Sequence, residues 1–358
     1  MSQTPTRCYF SSISRPRTSS APVHVKSPPS AIAAARRRLS TDDSGSKSAQ
    51  GRPRRRWAPV AAGAGLLAAG FGYFATREDA PTLGGDRWTT VKITSVTPIS
   101  PETSLFRLEV PKSVLPPAFS SDPTARPILS LYVKEPSLQI QRAYTPLSAT
   151  SFDSNGPAEL DLVVKRYHDG ELSRYIHRLG PGSELHVRGP SVTWWYRPQD
   201  WDEVVFVVGG TGITPAYQFV NDMLREAEPS SSSPTPRPAV SVVYASPSPS
   251  RVLLKNELDA LKARDSDHVA VHYLVDRPEA GTSKKQLPTD MAVGLIDRSK
   301  LESAIGQKQQ DKRRVVVVCG PEGMVEAVAG PRGRNFSQGR VGGILQQLGY
   351  TEKEVVKL

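Results

Sequence analysis

Cysteine is close to absent from this chain of 358 residues, which holds only Cys8 and Cys319. Two thiols are too few for a disulfide framework. Cys8 lies in a basic leader, so Cys319 remains as a lone thiol, either buried as a small hydrophobe or functional. The six histidines show no ligand spacing with cysteine, and no metal site is expected. Acid is missing where base is plentiful. Residues 1–41 contain Arg7, Arg15, Arg17, Lys26 and Arg36 to Arg38 without an Asp or Glu. Residues 1–56 hold twelve Lys/Arg and two Asp/Glu, so of the net charge of +11 only +1 belongs to the rest of the chain. A phosphate-tracking surface on the folded body is not implied, and nucleic acid is not expected as a partner.

What the leader does contain is arginine and serine, the composition of a mitochondrial presequence, although a disordered basic tail shares it. The leader is taken as residues 1–56. Residues 57–76 follow as a candidate transmembrane helix. Trp57 to Ala75 is uncharged over nineteen residues, close to the ~20 that cross a bilayer. Arg52 and Arg54 to Arg56 precede it, which should hold that end on the matrix side and leave the C-terminal body across the membrane. Its Ala/Gly content also suits a helix packing face, and a cleaved sorting segment is the competing reading. Residues 77–87 form a linker.

Residues 88–198 read as an antiparallel β-barrel. Strands are expected at Trp88 to Val96, Ser104 to Val110, Ile128 to Val133, Leu160 to Tyr167 and Gly182 to Gly189, separated by turns. Two features interrupt them. In Arg142-Ala-Tyr-Thr-Pro-Leu-Ser148, alternation along an extended chain offers an Arg for a phosphate, an aromatic for a flat ring and a hydroxyl for a ring nitrogen. An ordinary edge strand with an exposed Arg would look similar. Gly170 to Leu179 reads as a short helix opened by glycine, whose free N–H groups suit a phosphate. Trp194-Trp-Tyr196 reads as packing at the barrel end rather than as an electron port.

Residues 199–358 change to strand and helix in alternation, which implies a parallel sheet. Strands are expected at Val204 to Val208, Ala239 to Ala245, Val269 to Val275 and Val315 to Cys319. Helices are expected at Ala216 to Glu226, Val252 to Arg264 and Leu301 to Gln307. Residues 227–238 are Ser/Pro-rich and read as a flexible insertion. The first strand runs into Gly209, Gly210, Thr211, Gly212, Ile213, Thr214 and Pro215: strand, glycine turn, helix. Glycines allow close backbone approach to a ligand, and the helix start offers N–H groups to phosphate, though a plain tight turn uses glycine too. The last strand ends in Cys319-Gly320-Pro321, with Met324 beyond. Ligands gather at carboxyl ends of strands in open α/β sheets, which would set this thiol against a bound molecule.

Together these motifs resemble the ferredoxin–NADP reductase superfamily, most closely its NADH–cytochrome b5 reductase branch, over residues 88 to about 330. The resemblance implies an FAD-binding barrel and an NAD(P)H-binding parallel-sheet domain. It gives Arg142 the FAD pyrophosphate, Tyr144 the flavin and ribityl chain, and Thr145, after Ala143, the flavin N5. Val163, Val164, Lys165 and Tyr167 match a further FAD strand, and Gly170, Leu172 and Ser173 the phosphate turn, with Leu in place of Met. Residues 209–215 match the nicotinamide nucleotide motif, and Cys319 to Met324 the motif that sets a cysteine beside the nicotinamide. Thr145 and Cys319 are the catalytic candidates.

The sequence also departs from that branch in its layout. The stretch between Tyr167 and Gly170 is short, and the usual C-terminal aromatic strand is replaced by Gly342 to Tyr350 and a tail ending in Leu358. That ending, with the leader and apolar segment, is more similar to fungal mitochondrial flavoproteins that assist haem attachment to cytochrome c from the inner membrane, facing the intermembrane space. The implied partners are the cytochrome c and haem lyase system or a small haemoprotein. An outer-membrane NADH–cytochrome b5 reductase and a non-catalytic flavin-binding partner of haem lyase are the competing readings. Beyond Ser246, Arg251 stands where the branch has an acid for the adenosine ribose. A cation there suits a 2′-phosphate, so NADPH is expected to serve at least as well as NADH.

Overall fold

The structure is a computed structural model that describes residues 82–113, 125–149, 152, 157–226, 237–279, 281, 287–334 and 337–358. The leader, the apolar segment 57–76, the first five residues of the linker and most of the 227–238 insertion lie outside the described residues. Among the described residues no helix is long and apolar enough to cross a membrane. They belong to one unit, Arg77–Leu358, built on two six-stranded sheets.

The first sheet is antiparallel. It contains β1 (Thr89–Ser100), β2 (Thr103–Val110), β3 (Arg126–Lys134), β4 (Gln141–Tyr144), β5 (Ala158–Lys165) and β6 (Glu184–Tyr196), in the order β4-β3-β6-β1-β2-β5. Alternation along β1 buries Val91 and Ile93 and exposes Lys92 between them. These two pack with Phe106, Leu108, Leu131, Leu160, Leu162 and Leu185, and α1 (Glu171–Ile176) adds Leu172 and Ile176 to the same core. The expected barrel is only partly closed. β4 and β5 are its edges, and a backbone hydrogen bond from Leu147 N–H to the Asp161 carbonyl (3.0 Å) joins them. Pro146 has no N–H to extend the β4 ladder. β6 also runs on past Gly189, where a break was expected, because Gly189 and Pro190 lie opposite Leu131 in a register irregularity and pairing then resumes.

The second sheet is parallel: β7 (Glu203–Gly209), β8 (Ala239–Ser246), β9 (Val269–Val275), β10 (Met291–Val293), β11 (Arg314–Cys319) and β12 (Val355–Lys357), in the order β10-β9-β8-β7-β11-β12. Its helices are α2 (Ile213–Glu226), α3 (Lys255–Arg264), α4 (Arg298–Ile305), α5 (Glu322–Ala329) and α6 (Gly343–Gln347). β7 and β11 are central, and their valines are buried throughout, as continuous apolar runs require when both faces are covered. α3 begins at Lys255 rather than Val252, because a 3-10 turn at Pro249–Arg251 and a left-handed Leu254 (φ 55°) precede it. β10 and β12 were not anticipated. β12 contains Lys357, which is buried and donates from Nζ to the carbonyls of Pro331 (2.9 Å) and Arg340 (2.8 Å), so no apolar pattern marks it.

α2 packs against both sheets. Ile213, Ala216, Phe219, Val220 and Met223 form its buried stripe, continuous with Ile128, Val163 and Tyr196 of the first sheet. The Phe219 ring lies 5.1 Å from that of Tyr196, 6.0 Å from Trp194 and 5.5 Å from Phe206. Trp194 is thus a packing residue here.

Candidate functional site

In the parallel sheet the chain passes from β7 to β8 on one side and reaches β11 on the other. The carboxyl ends of β7 and β11, where Cys319 pairs with Val208, are therefore a topological switch point, the position at which open α/β sheets hold ligands. A cavity of about 470 Å³ opens there and extends to the first sheet. This lies within the ~300–1,000 Å³ of small-molecule sites.

Arg142, Ala143, Tyr144, Thr145, Val163 and Tyr167 form one wall. The expected alternation is not what selects them, since four consecutive residues reach the cavity as β4 ends. Arg142 is exposed and gives one N–H to the Gln141 carbonyl (2.8 Å). Burial, with a smaller contribution from Tyr167, pushes the Tyr144 phenol up to about 12, so the ring is neutral at physiological pH. The Thr145 hydroxyl is 3.0 Å from that of Ser130, which is 2.7 Å from that of Thr193. Ser130 is buried and escaped sequence reading, because nothing local distinguishes a serine in a strand.

Gly170, Leu172 and Ser173 line the end of the cavity beside α1. The Ser173 hydroxyl is committed to its own turn, accepting from Tyr167 N–H (3.1 Å) and donating to the Gly170 carbonyl (2.9 Å). Ile140, Asp169 and Glu171 also line the cavity and were not anticipated.

The opposite wall is Gly209, Thr211, Gly212, Thr214 and Pro215 with Cys319, Gly320 and Pro321. The glycine turn is a 3-10 turn, Gly210–Gly212, running into α2. A Cβ on Gly212 would overlap the Cys319 carbonyl, so only glycine lets the two loops approach. Burial pushes the Cys319 thiol up to about 11, against a weaker opposing effect of Arg332. It therefore carries its proton at neutral pH.

Six expected residues do not line this cavity. Val164 points into the core of the first sheet, and its carbonyl accepts from His177 Nε2 (3.0 Å). The pleat that brings Val163 to the cavity turns its neighbour away. Ser246 is buried and donates to the Ser248 carbonyl (3.2 Å). Met324 packs behind the turn, against Gly209 and Gly320. Lys165, Gly210 and Arg251 line a separate, smaller cleft with Glu102. There Glu102 lies 3.5 Å from Arg251 and 3.6 Å from Lys165.

A model of oxidoreductase FAD-binding domains matches residues 90–196, and one of oxidoreductase NAD-binding domains matches residues 206–330. The NADH-cytochrome b5 reductase 2 of Scheffersomyces stipitis is 31% identical over 303 residues, covering 84% of this chain and 94% of its own. That of Lodderomyces elongisporus is 32% identical, covering 80% and 88%. The chain belongs to the NADH–cytochrome b5 reductase family. An Arabidopsis thaliana member of this family, an NADH-cytochrome b5 reductase-like protein, is 31% identical over 77% of this chain and 78% of its own. The fold is that of the cytochrome b5 reductase domain of Ulva prolifera nitrate reductase, with a TM-score of 0.56 at 23% identity, covering 78% of this chain and 100% of that one. It is also that of a Neisseria gonorrhoeae ferredoxin NADP+ reductase solved with FAD and NADP, with a TM-score of 0.52 at 16% identity, covering 76% and 98%.

This reductase is an FAD-dependent, NAD(P)H-using oxidoreductase of the family. Its cavity fits FAD chemically: it is lined by a guanidinium, a neutral phenol, a hydroxyl in contact with a second hydroxyl, and a turn in which Gly209 and Gly212 put backbone rather than side chain at the wall.

Proposed function

We propose that the protein is a membrane-anchored mitochondrial reductase, its body in the intermembrane space, passing electrons from NAD(P)H through FAD to a one-electron haem acceptor in support of cytochrome c haem attachment. The observation that carries the redox reading is the shared cavity, which Thr145 lines together with Gly212 and Cys319. Arg142, Tyr144 and Thr145 would hold FAD there, and the chemistry it would supply is the splitting of a hydride from the nicotinamide into two electrons passed on singly and a proton released to solvent. The residues divide the work. Arg142 offers charge to a pyrophosphate, Tyr144 an uncharged ring face, and Thr145 a hydroxyl oriented by Ser130. Gly212 admits a ring to close range, and Cys319 closes that wall with an uncharged thiol.

The basic leader and the uncharged segment 57–76 support the anchor and the compartment. The C-terminal departure from the b5 branch supports the cytochrome c connection. The relatives' names favour a second reading, a reductase serving cytochrome b5, for which the outer membrane is the competing location. Arg251, at the end of the 3-10 turn that follows β8, supports use of NADPH, with Glu102 as its competing partner.

The full chain purified in detergent is expected to be yellow and to bleach anaerobically with NADH or NADPH. Its colour should return on mixing with a haemoprotein, and rapid mixing with cytochrome b5 or cytochrome c in turn ranks the acceptors. A protein that stays colourless when FAD is supplied would be an accessory partner and not an enzyme.

A further inference from the structure

The helix that follows the glycine turn also repairs the strand that ends at Thr145. In the β3–β4 ladder Leu131 pairs with Tyr144, so antiparallel register carries Leu129 opposite Pro146. Proline has no N–H, and the rung there is incomplete. Gln218 of α2 supplies it. Its Oε1 accepts from Leu129 N–H (2.8 Å), and its Nε2 donates to the carbonyls of Leu129 (3.1 Å) and Pro146 (2.8 Å). The side chain is only 1% exposed. One turn later, Asp222 accepts from the Ser148 hydroxyl (2.8 Å) and from Ala149 N–H (2.9 Å).

Thr145 is thereby held from both sides. Pro146 follows it, and Leu129 precedes Ser130, whose hydroxyl contacts that of Thr145. The other end of α2 is the turn Gly210–Gly212 and Thr214. A single rigid helix thus carries the nucleotide wall at its start and grips the flavin wall one and two turns later.

We propose that Gln218, with Asp222, is a positioning residue for hydride transfer, acting as a surrogate ladder rung that sets the separation of Thr145 from the glycine turn. Neither side chain lines the cavity, so neither is expected to govern nucleotide affinity. This rests on reading the two walls as facing flavin and nicotinamide.

The test uses the full holoprotein with Gln218→Met, which keeps the length and removes the polar atoms, and with Asp222→Ala. Anaerobic rapid mixing with NADH and 4-deuterated NADH separates nucleotide Kd from the limiting rate of flavin reduction, and amide exchange at Leu129 and Ala149 reports the clamp directly. For Gln218→Met the limiting rate should fall about tenfold to a hundredfold, as displacement of reacting groups by about 1 Å does. The isotope effect should rise, Kd should stay within about threefold, and the Leu129 amide should exchange faster. Asp222→Ala should give a smaller fall, with faster exchange at Ala149, and it decides the matter if Gln218→Met does not retain FAD. A purely structural role would lower Tm or FAD content and leave the limiting rate of the flavin-loaded fraction native. A rate within twofold of wild type in a flavin-loaded variant overturns the proposal. A wild type that neither nucleotide reduces removes the reading beneath it instead.

Discussion

Cys319 has the position of a nucleophile but not its ionisation. It ends β11 on the cavity wall, yet desolvation raises its thiol from 9.0 to about 11. The folded protein therefore keeps a proton that the unfolded chain releases near pH 9. The associated stability is complete below that pH and is lost as pH rises through about 11. Urea unfolding at pH 8 and pH 10.5 should show wild type losing more stability than Cys319→Ala over that interval. Identical pH slopes would mean that the thiol is better solvated than its surroundings imply. Arg251 differs in being accessible and only loosely paired with Glu102. Arg251→Ala should lower kcat/KM for NADPH about tenfold, the loss of one charge-assisted contact of about 1.4 kcal/mol, and change that for NADH less than twofold. Equal losses with both nucleotides would contradict a role at the 2′-phosphate. At this scale much of the site was legible, because Arg142-Ala-Tyr-Thr145 and Gly209 to Pro215 are contiguous and carry their chemistry locally. Val164, Ser246 and Met324 do not line the cavity, because a motif names neighbours without saying which face the backbone turns outward.

Among the elements, α2 joins the most distant parts of the unit. Phe219 is wedged between Trp194, Tyr196 and Phe206, at ring distances of 5.1 to 6.0 Å. Truncating such a ring removes its burial and leaves a cavity, so Phe219→Ala should cost about 3–5 kcal/mol in denaturant unfolding. A cost below about 1 kcal/mol would show that the sheets are held together elsewhere. β7, β11 and α2 were readable from uninterrupted valines and a 3.6-residue stripe. β10 and β12 were not, being three residues each and, for β12, carrying a buried lysine satisfied by two distant carbonyls. Pairing with an existing strand makes such short segments into strands, and pairing is not a local property.

For the molecule as a whole, the two sheets and α2 share one continuous core, so the cavity walls belong to one unit. The proposed compartment is tested on intact mitochondria. Added protease should leave the body untouched until the outer membrane is ruptured and then degrade it. Degradation in intact organelles would place the body on the cytosolic side. The residues by themselves determined the order of the two folds and the excess of base at the N-terminus, because strand and helix periods and charge are local, while the cofactors followed from the resemblance that the short motifs carry. Tertiary structure alone decided that Thr145 and Gly212 line one cavity, that the Ser130 hydroxyl meets that of Thr145, and that Gln218 completes a rung with Leu129, 89 residues away in the chain. Those contacts depend on strand register and on how a helix seats between two sheets, and neither is set by any stretch of sequence until the core has closed around it.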